Sequence, residues 1–471
     1  MTTTLTPLAD FSDRLSPMVV KELRQGLRTR SFGSTMLGMH VLLILITLIT
    51  GSSPNTDETR WMLDALATLV LCLIMPSRVS NALAEEVKMN TLEMLMLTRL
   101  SCSRIVFGKW ASVALQSLLI ALSLMPYVVA RYVFGGIDLM LELNMLALKW
   151  LVGIVIAALL VALSTLQQSW LRMTIIIVPM VFGGFGVVGM MFAAVSGGPG
   201  FTSSVIGTGG WAMAIAVAII SSSWAIFACL SLAASRIASP AAPLACLKRC
   251  VHLVAFFIPL LMALFTRQEF WLTGAYVVAG FMTLDALTET QNEVPSVYVP
   301  FFKRGIMGRM TMRLLTPGWA SGFWLTLMVA LCLGGALVAI TGPDVLPYHI
   351  LVCSTIWMVT AGIQILPTRR SNDLLPLFIC GFALVQLLAG MFTGLGVIVA
   401  KSASEQPLFL AVLPPSAIMG ADSIPSGGPR KEFLMIAMLC AAVWPLLMTT
   451  LSVLAWRKIR PVRDEAKLMA A

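Results

Sequence analysis

Charged side chains are scarce in this chain. Asp, Glu, Lys and Arg make up 11% of its 471 residues, against 58% hydrophobic, whereas soluble domains carry about 25% charge and about 45–50% apolar residues. So little charge cannot cover a water-exposed surface at this length, which excludes an ordinary soluble protein. Catalytic signatures are missing too. A phosphate-cradling G-x-x-x-x-G-K-[ST] loop is absent: Gly108-Lys109 is followed by Trp110, and Ser103 stands where the first glycine belongs. H-E-x-x-H, G-x-S-x-G and a helix-opening G-x-G-x-x-G are absent as well. The reading is of a chain that is not an enzyme and binds no cofactor itself.

Ionisable groups inside the apolar runs are equally few. Asp64 falls near the outer end of the second run and Asp285 near the inner end of the eighth, each within reach of interfacial water. A gradient-driven transporter is expected to bury more charge than that. His40, His252 and His349 sit at or near the ends of separate runs, and are expected to be packed or interfacial side chains and not catalysts. Six of the nine cysteines lie in apolar runs and no pair is available on the outer face, so disulfides are not expected. Cys246 and Cys250 are one helical turn apart, and read as two small buried side chains and not as a metal site.

What the chain does have is a series of apolar runs of about 16–26 residues, near the roughly 20 that cross a bilayer. They cover approximately 34–50, 61–76, 105–130, 145–165, 174–195, 211–233, 251–266, 271–287, 319–340, 348–366, 374–398 and 433–456. This predicts an all-α polytopic membrane protein with about twelve transmembrane helices. The pair within 251–287 is the least distinct, because only Thr266–Glu269 divides it. The first run follows some thirty polar and basic residues, longer than a secretory leader, and reads as a retained span. Of the Lys and Arg, roughly 25 fall in alternate segments starting with the N-terminal one and about seven in the others. That asymmetry places both termini in the cytoplasm and reads the +10 net charge as membrane topology, with no nucleic-acid partner.

Polar groups within the runs, notably Gln116, Gln386 and Ser221–Ser223, read as interhelical hydrogen-bonding groups. Pro179 and the glycines at 183, 186 and 189 give the fifth run a bend and a close-packing face. The segment Leu408–Pro415 is apolar but too short to span, and is expected to dip into the interface or to shield an outer vestibule. The inner loop Thr288–Gly318 carries Lys303, Arg304, Arg309 and Arg313 among aromatics and methionines. It reads as a surface-lying helix, a partner contact or a simple basic loop.

Two polar segments stand out. Before the first run, Ser16 as N-cap and Pro17 at the first helical position start a helix. Val20, Leu23 and Leu27 fall on one of its faces, with Lys21, Arg24, Gln25 and Arg28 elsewhere, so it is expected to lie along the inner membrane surface. Between the second and third runs, Arg78–Lys109 contains the acid pair Glu85-Glu86, then Thr91-Leu92-Glu93-Met94-Leu95-Met96-Leu97-Thr98, and closes on Gly108-Lys109.

These two segments, in this order, resemble the membrane subunits (permeases) of type 2 ATP-binding-cassette transporters. Pro17, Lys21, Glu22, Leu23, Arg24 and Arg28 resemble the family's elbow helix. Glu85, Glu86, Thr91, Leu92, Glu93, Leu95, Leu97 and Thr98 resemble its coupling helix. Arg99 departs from the proline that many members have there. The resemblance covers roughly residues 16–136, and the layout to about 236 fits a six-span unit. It implies a cytoplasmic N-terminus with elbow helix (1–33), a permease core (34–236) and a C-terminal extension of about six further spans (237–471). It further implies an export permease in a bacterial cell membrane, partnered by a separate ATPase that uses the ATP and by a second permease, identical or related. A non-transporting membrane scaffold with the same topology is the alternative. Substrate, and homodimer against heterodimer, stay open.

Overall fold

The computed structural model describes residues 17–52, 56–88, 101–134, 139–166, 211–239, 241–242, 244–365, 374–399, 408–422 and 428–470. These form helices without a strand among the described residues. The chain divides into two compact units, Met1–Ala238 and Ser239–Ala471. Among the described residues eleven helices are long and apolar enough to cross a membrane, and each coincides with one of the twelve apolar runs. The twelfth run, 174–195 with Pro179 and its glycines, lies outside the described residues. The protein is an all-α, multi-pass membrane protein.

In the first unit, α1 (Pro17–Leu27) leads into α2 (Arg30–Ser52). The second span begins as α3 (Thr56–Thr68), widens into a π-helical segment, Leu69–Ile74, and finishes in a short turn, Met75–Ser77. The widening has a local cause. Pro76 has no N–H to offer Cys72, and its ring crowds that carbonyl, so the Met75 amide reaches back to Val70 instead. Helix α4 (Ala82–Lys88) follows, then α5 (Cys102–Phe134), α6 (Leu139–Leu163) and α7 (Trp211–Ile237). Gly153 of α6 packs directly on the widened turn, where a Cβ would press into the Leu71 carbonyl. The core of this unit runs through Met39, Leu43, Leu71, Met75, Ile120 and Leu124.

In the second unit, α8 (Leu244–Thr266) and α9 (Glu269–Leu287) form an antiparallel hairpin, so the least distinct pair of runs is two full helices. Arg267 makes the tight turn between them in the left-handed region, φ 56°, and its guanidinium donates to the Ala339 carbonyl. The polar loop that follows is mostly helical: a 3-10 turn at Pro295–Val297, then α10 (Val299–Lys303) and α11 (Gly305–Leu315). Spans α12 (Trp319–Thr341), α13 (Leu346–Ile365) and α14 (Leu374–Val399) come next. A 3-10 turn at Leu408–Ala411 and α15 (Pro414–Asp422) pack Leu410 and Ala417 against Leu351 and Phe433. The segment expected to dip into an interface is thus part of the unit's core. The last span, α16 (Gly428–Ala441) and α17 (Val443–Lys458), is interrupted at Ala442, three residues before Pro445, and α18 (Arg460–Ala470) ends the described chain.

Several expectations about polar groups are overturned. Buried charge is not rare. Asp64 pairs with Lys149, Arg131 and Glu142 are buried near them, and Asp285 is fully buried on Lys248. Asp285 therefore does not extend to water, while Asp64 is half-buried on its lysine. Ser221 and Ser223 are exposed on their unit and bond the carbonyls of their own helix, Ala218 and Ile219. Gln386 is exposed as well, and only Gln116 of that group is buried. Cys250 is exposed and Cys246 half-buried. Cys353 Sγ lies 3.7 Å from His349 Nε2. The same nitrogen lies 2.8 Å from the Ala330 carbonyl, which can only accept, so Nε2 carries the proton and Nδ1 accepts from Tyr276 Oη at 2.8 Å.

Candidate coupling junction

One end of the first unit gathers α1, the start of α2, the end of the second span, α4, the start of α5 and the ends of α6 and α7. Helix α1 lies along the start of α5, and glycine permits the close approach at both ends of the contact. A Cβ on Gly108 would stand 2.7 Å from Met18 Cγ, and one on Gly26 would run into the Gln116 amide. The face of α1 turned to α5 therefore carries Met18 and Val19, both buried, with Glu22 and Gly26. This corrects the expected apolar stripe: Val20 and Leu23 are only half-buried and Leu27 is exposed. Small residues let backbones approach, and that outweighs the larger but unmatched Val-Leu-Leu stripe.

The bend from α1 to α2 is closed by Thr29. Its hydroxyl donates to the Gly26 carbonyl at 2.7 Å and accepts from the Phe32 amide at 3.4 Å, as a helix N-cap does. Arg78, at the end of the second span, reaches the same bend. Its Nη2 donates to Thr29 Oγ1 at 2.6 Å and to the Gly26 carbonyl at 3.2 Å, while the guanidinium sits 5.4 Å from the Phe32 ring centroid. Arg78 thus ties the end of the second span to the bend of the N-terminal helix.

Lys109 completes the junction. It is buried, with Nζ 2.7 Å from Glu86 Oε1 and 3.6 Å from Glu22 Oε1. One cation on α5 holds an acid from α1 and an acid from α4. Helix α4 is seated further by Leu83, fully buried, whose amide donates to Ser164 Oγ at 3.4 Å beyond the end of α6. At the first residue of α5, Cys102 Sγ lies 3.9 Å from the Ile237 carbonyl at the end of α7. Helix α4 is thus tied to α1 and α5 through Lys109 and to the end of α6 through Ser164.

Of the residues singled out in sequence, Glu22 and Glu86 are brought together here. Pro17, Lys21, Arg24 and Arg28 are exposed on α1. Glu85 belongs to the backbone of α4, its side chain outside the described residues, as are Thr91, Leu92, Glu93, Leu95, Leu97 and Thr98. Sequence reasoning missed Arg78 and the pairing of Lys109. The available signal was a lone basic residue at each end of the same polar insert, with acids between them.

The second unit holds a denser charge cluster. Lys248 Nζ lies 2.8 Å from Asp285 Oδ1 and 2.5 Å from Glu289 Oε1, and Arg249 Nη2 lies 2.6 Å from Glu289 Oε2. Arg249 also donates to the carbonyls of Leu314, Thr316 and Gly318 and to Ser321 Oγ, at 2.6–3.1 Å. Burial alone would push the Glu289 carboxyl up. Lys248, Arg249 and the Gly318 amide outweigh it and hold the carboxyl at about 2. These contacts bind the start of α8, the end of α9 and the turn between α11 and α12 into one clasp, with its charges spent on each other. Among the described residues no group of three His, Cys, Asp or Glu is arranged to hold a metal ion. Compared with models of known protein families, with curated proteins and with solved structures, the chain matches none.

Proposed function

We propose that this chain is the membrane-spanning subunit of an ATP-driven exporter, built as a type 2 ATP-binding-cassette permease, with both termini in the cytoplasm of a bacterial cell. A separate ATPase docks on the segment that follows α4 and hydrolyses the ATP, and a second permease, identical or related, completes the transport path. The observation that carries this reading is the Glu22–Lys109–Glu86 junction. It joins the N-terminal amphipathic helix, the polar insert and the third span at one buried cation, where a push on the insert has to be passed to the spans. In this reading α1 is the elbow helix and the second unit is the C-terminal extension.

Co-purification with the ATPase tests the assignment. Reversing both acids, Glu85→Lys with Glu86→Lys, is expected to abolish complex formation and stimulation of ATP hydrolysis. Retention of both in a folded variant would sink the proposal.

A further inference from the structure

Helix α11 has apolar side chains on two opposite faces, and only one of them is used. Gly308 and Met312 turn inward and are buried. The inward fit is tight, since a Cβ on Gly308 would press into the Phe301 carbonyl, and Gly305 makes the turn from α10 at φ 65°. On the opposite face Ile306, Met307 and Met310 stand 77%, 74% and 67% exposed. Helix α18, packed on α10 in the same unit, provides the contrast. It buries Ala466 and half-buries Val462, its outward face mixes both signs in Arg460, Asp464, Glu465 and Lys467, and its exposed apolar residues, Leu468 and Met469, are confined to its last turn.

The cations around α11 point to what covers its outer face. Lys303, Arg304, Arg309 and Arg313 are all exposed, and the stretch Val299–Leu315 contains no acid. By its 3.6-residue period the helix sets Arg309 and Arg313 on one flank of the apolar face. The helix also lies where apolar helices long enough to span begin and end. It packs against the beginning of α8 and of α12, and Arg249 ties its last carbonyls to the end of α9. Exposed Ile and Met flanked by arginines, at the ends of membrane spans, are the pattern of a helix lying in a headgroup layer with phosphates on its flank.

We infer that the outer face of α11 is a docking surface for an anionic phospholipid leaflet, with Ile306, Met307 and Met310 immersed and Arg304, Arg309 and Arg313 on the headgroup phosphates. Through Arg249, leaflet charge then bears on the clasp that holds α8, α9 and α12 together. This inference stands apart from the transport reading and survives its failure.

Amide hydrogen exchange of the full chain in lipid nanodiscs tests it, comparing phosphatidylcholine alone with added phosphatidylglycerol. Amides of 304–315 are expected to gain protection with phosphatidylglycerol, and those of α18 to remain as they were. One basic residue near an anionic surface is worth roughly a fivefold factor in partitioning, so Arg304→Gln, Arg309→Gln and Arg313→Gln together should remove the gain and leave exchange in phosphatidylcholine unchanged. Ile306→Ser, Met307→Ser and Met310→Ser should lower protection in both lipids. A gain that survives the arginine substitutions overturns the inference, as does the absence of any gain. Protection that comes only with an added soluble protein also overturns it and makes the face a protein contact.

Discussion

Glu86 and Lys109 are brought within 2.7 Å across most of the polar insert that separates the second and third spans. Helix α4 is therefore fixed to α5, and Glu22 fixes α1 to the same cation. Removing one partner from a buried ion pair strands the other, at a cost of about 3–5 kcal/mol. Lys109→Gln leaves two carboxylates together and is expected to lower stability by about that amount. Exchanging the pair, Glu86→Lys with Lys109→Glu, should recover part of the loss while bringing the new acid beside Glu22. Thermal unfolding in detergent reads all three proteins.

Asp64→Asn leaves Lys149 buried without its counter-ion and should also cost about 3–5 kcal/mol. Replacing both, Asp64→Asn with Lys149→Gln, should cost much less than the sum of the two single changes. A double-mutant cycle that came out additive would mean the pair does not couple α3 to α6.

Three glycines separate tight packing from helix propensity. A Cβ at Gly153 meets the Leu71 carbonyl and one at Gly322 meets the Ala286 carbonyl, backbone atoms that cannot step aside, whereas nothing lies within 4 Å of Gly38. Gly153→Ala and Gly322→Ala should destabilise by about 1–3 kcal/mol, and Gly38→Ala should be neutral or slightly stabilising. Unfolding midpoints of the three single variants check the order.

The clasp of the second unit should be acid-labile. The Glu289 carboxyl is lowered from 4.5 to about 2, so its ionised form is favoured by folding. Its contribution, about 3 kcal/mol, is present above the unfolded value and is lost as pH falls from about 4.5 to about 2. Glu289→Gln should lower stability at neutral pH and flatten that acid limb, which a pH series of unfolding midpoints would show.

The spans were legible in the sequence because each is a continuous apolar run, and a bilayer asks for little more than length. The charge pairs were not. Lys149 lies 85 residues from Asp64 and Lys248 lies 37 from Asp285, so each charge seemed solitary and able to reach water. The helicity of α1 was legible from Pro17 and its polar spacing, but its packed face was not. That face is decided by Gly26 and Gly108, residues that add nothing to a hydrophobic stripe and matter only when another backbone comes close. Ser221, Ser223 and Gln386 erred in the other direction: polar groups within apolar runs need not face a neighbour when their own helix carbonyls, or the unit's surface, accommodate them.

ATP turnover by the ATPase in complex with this chain tests the central claim most directly. In reconstituted membranes, Lys109→Gln should leave the ATPase bound, since the docking segment is untouched, while abolishing the stimulation of hydrolysis that the intact chain confers. Full stimulation in that variant, with the complex intact, would contradict the claim that the Glu22–Lys109–Glu86 junction passes the ATPase's work to the spans.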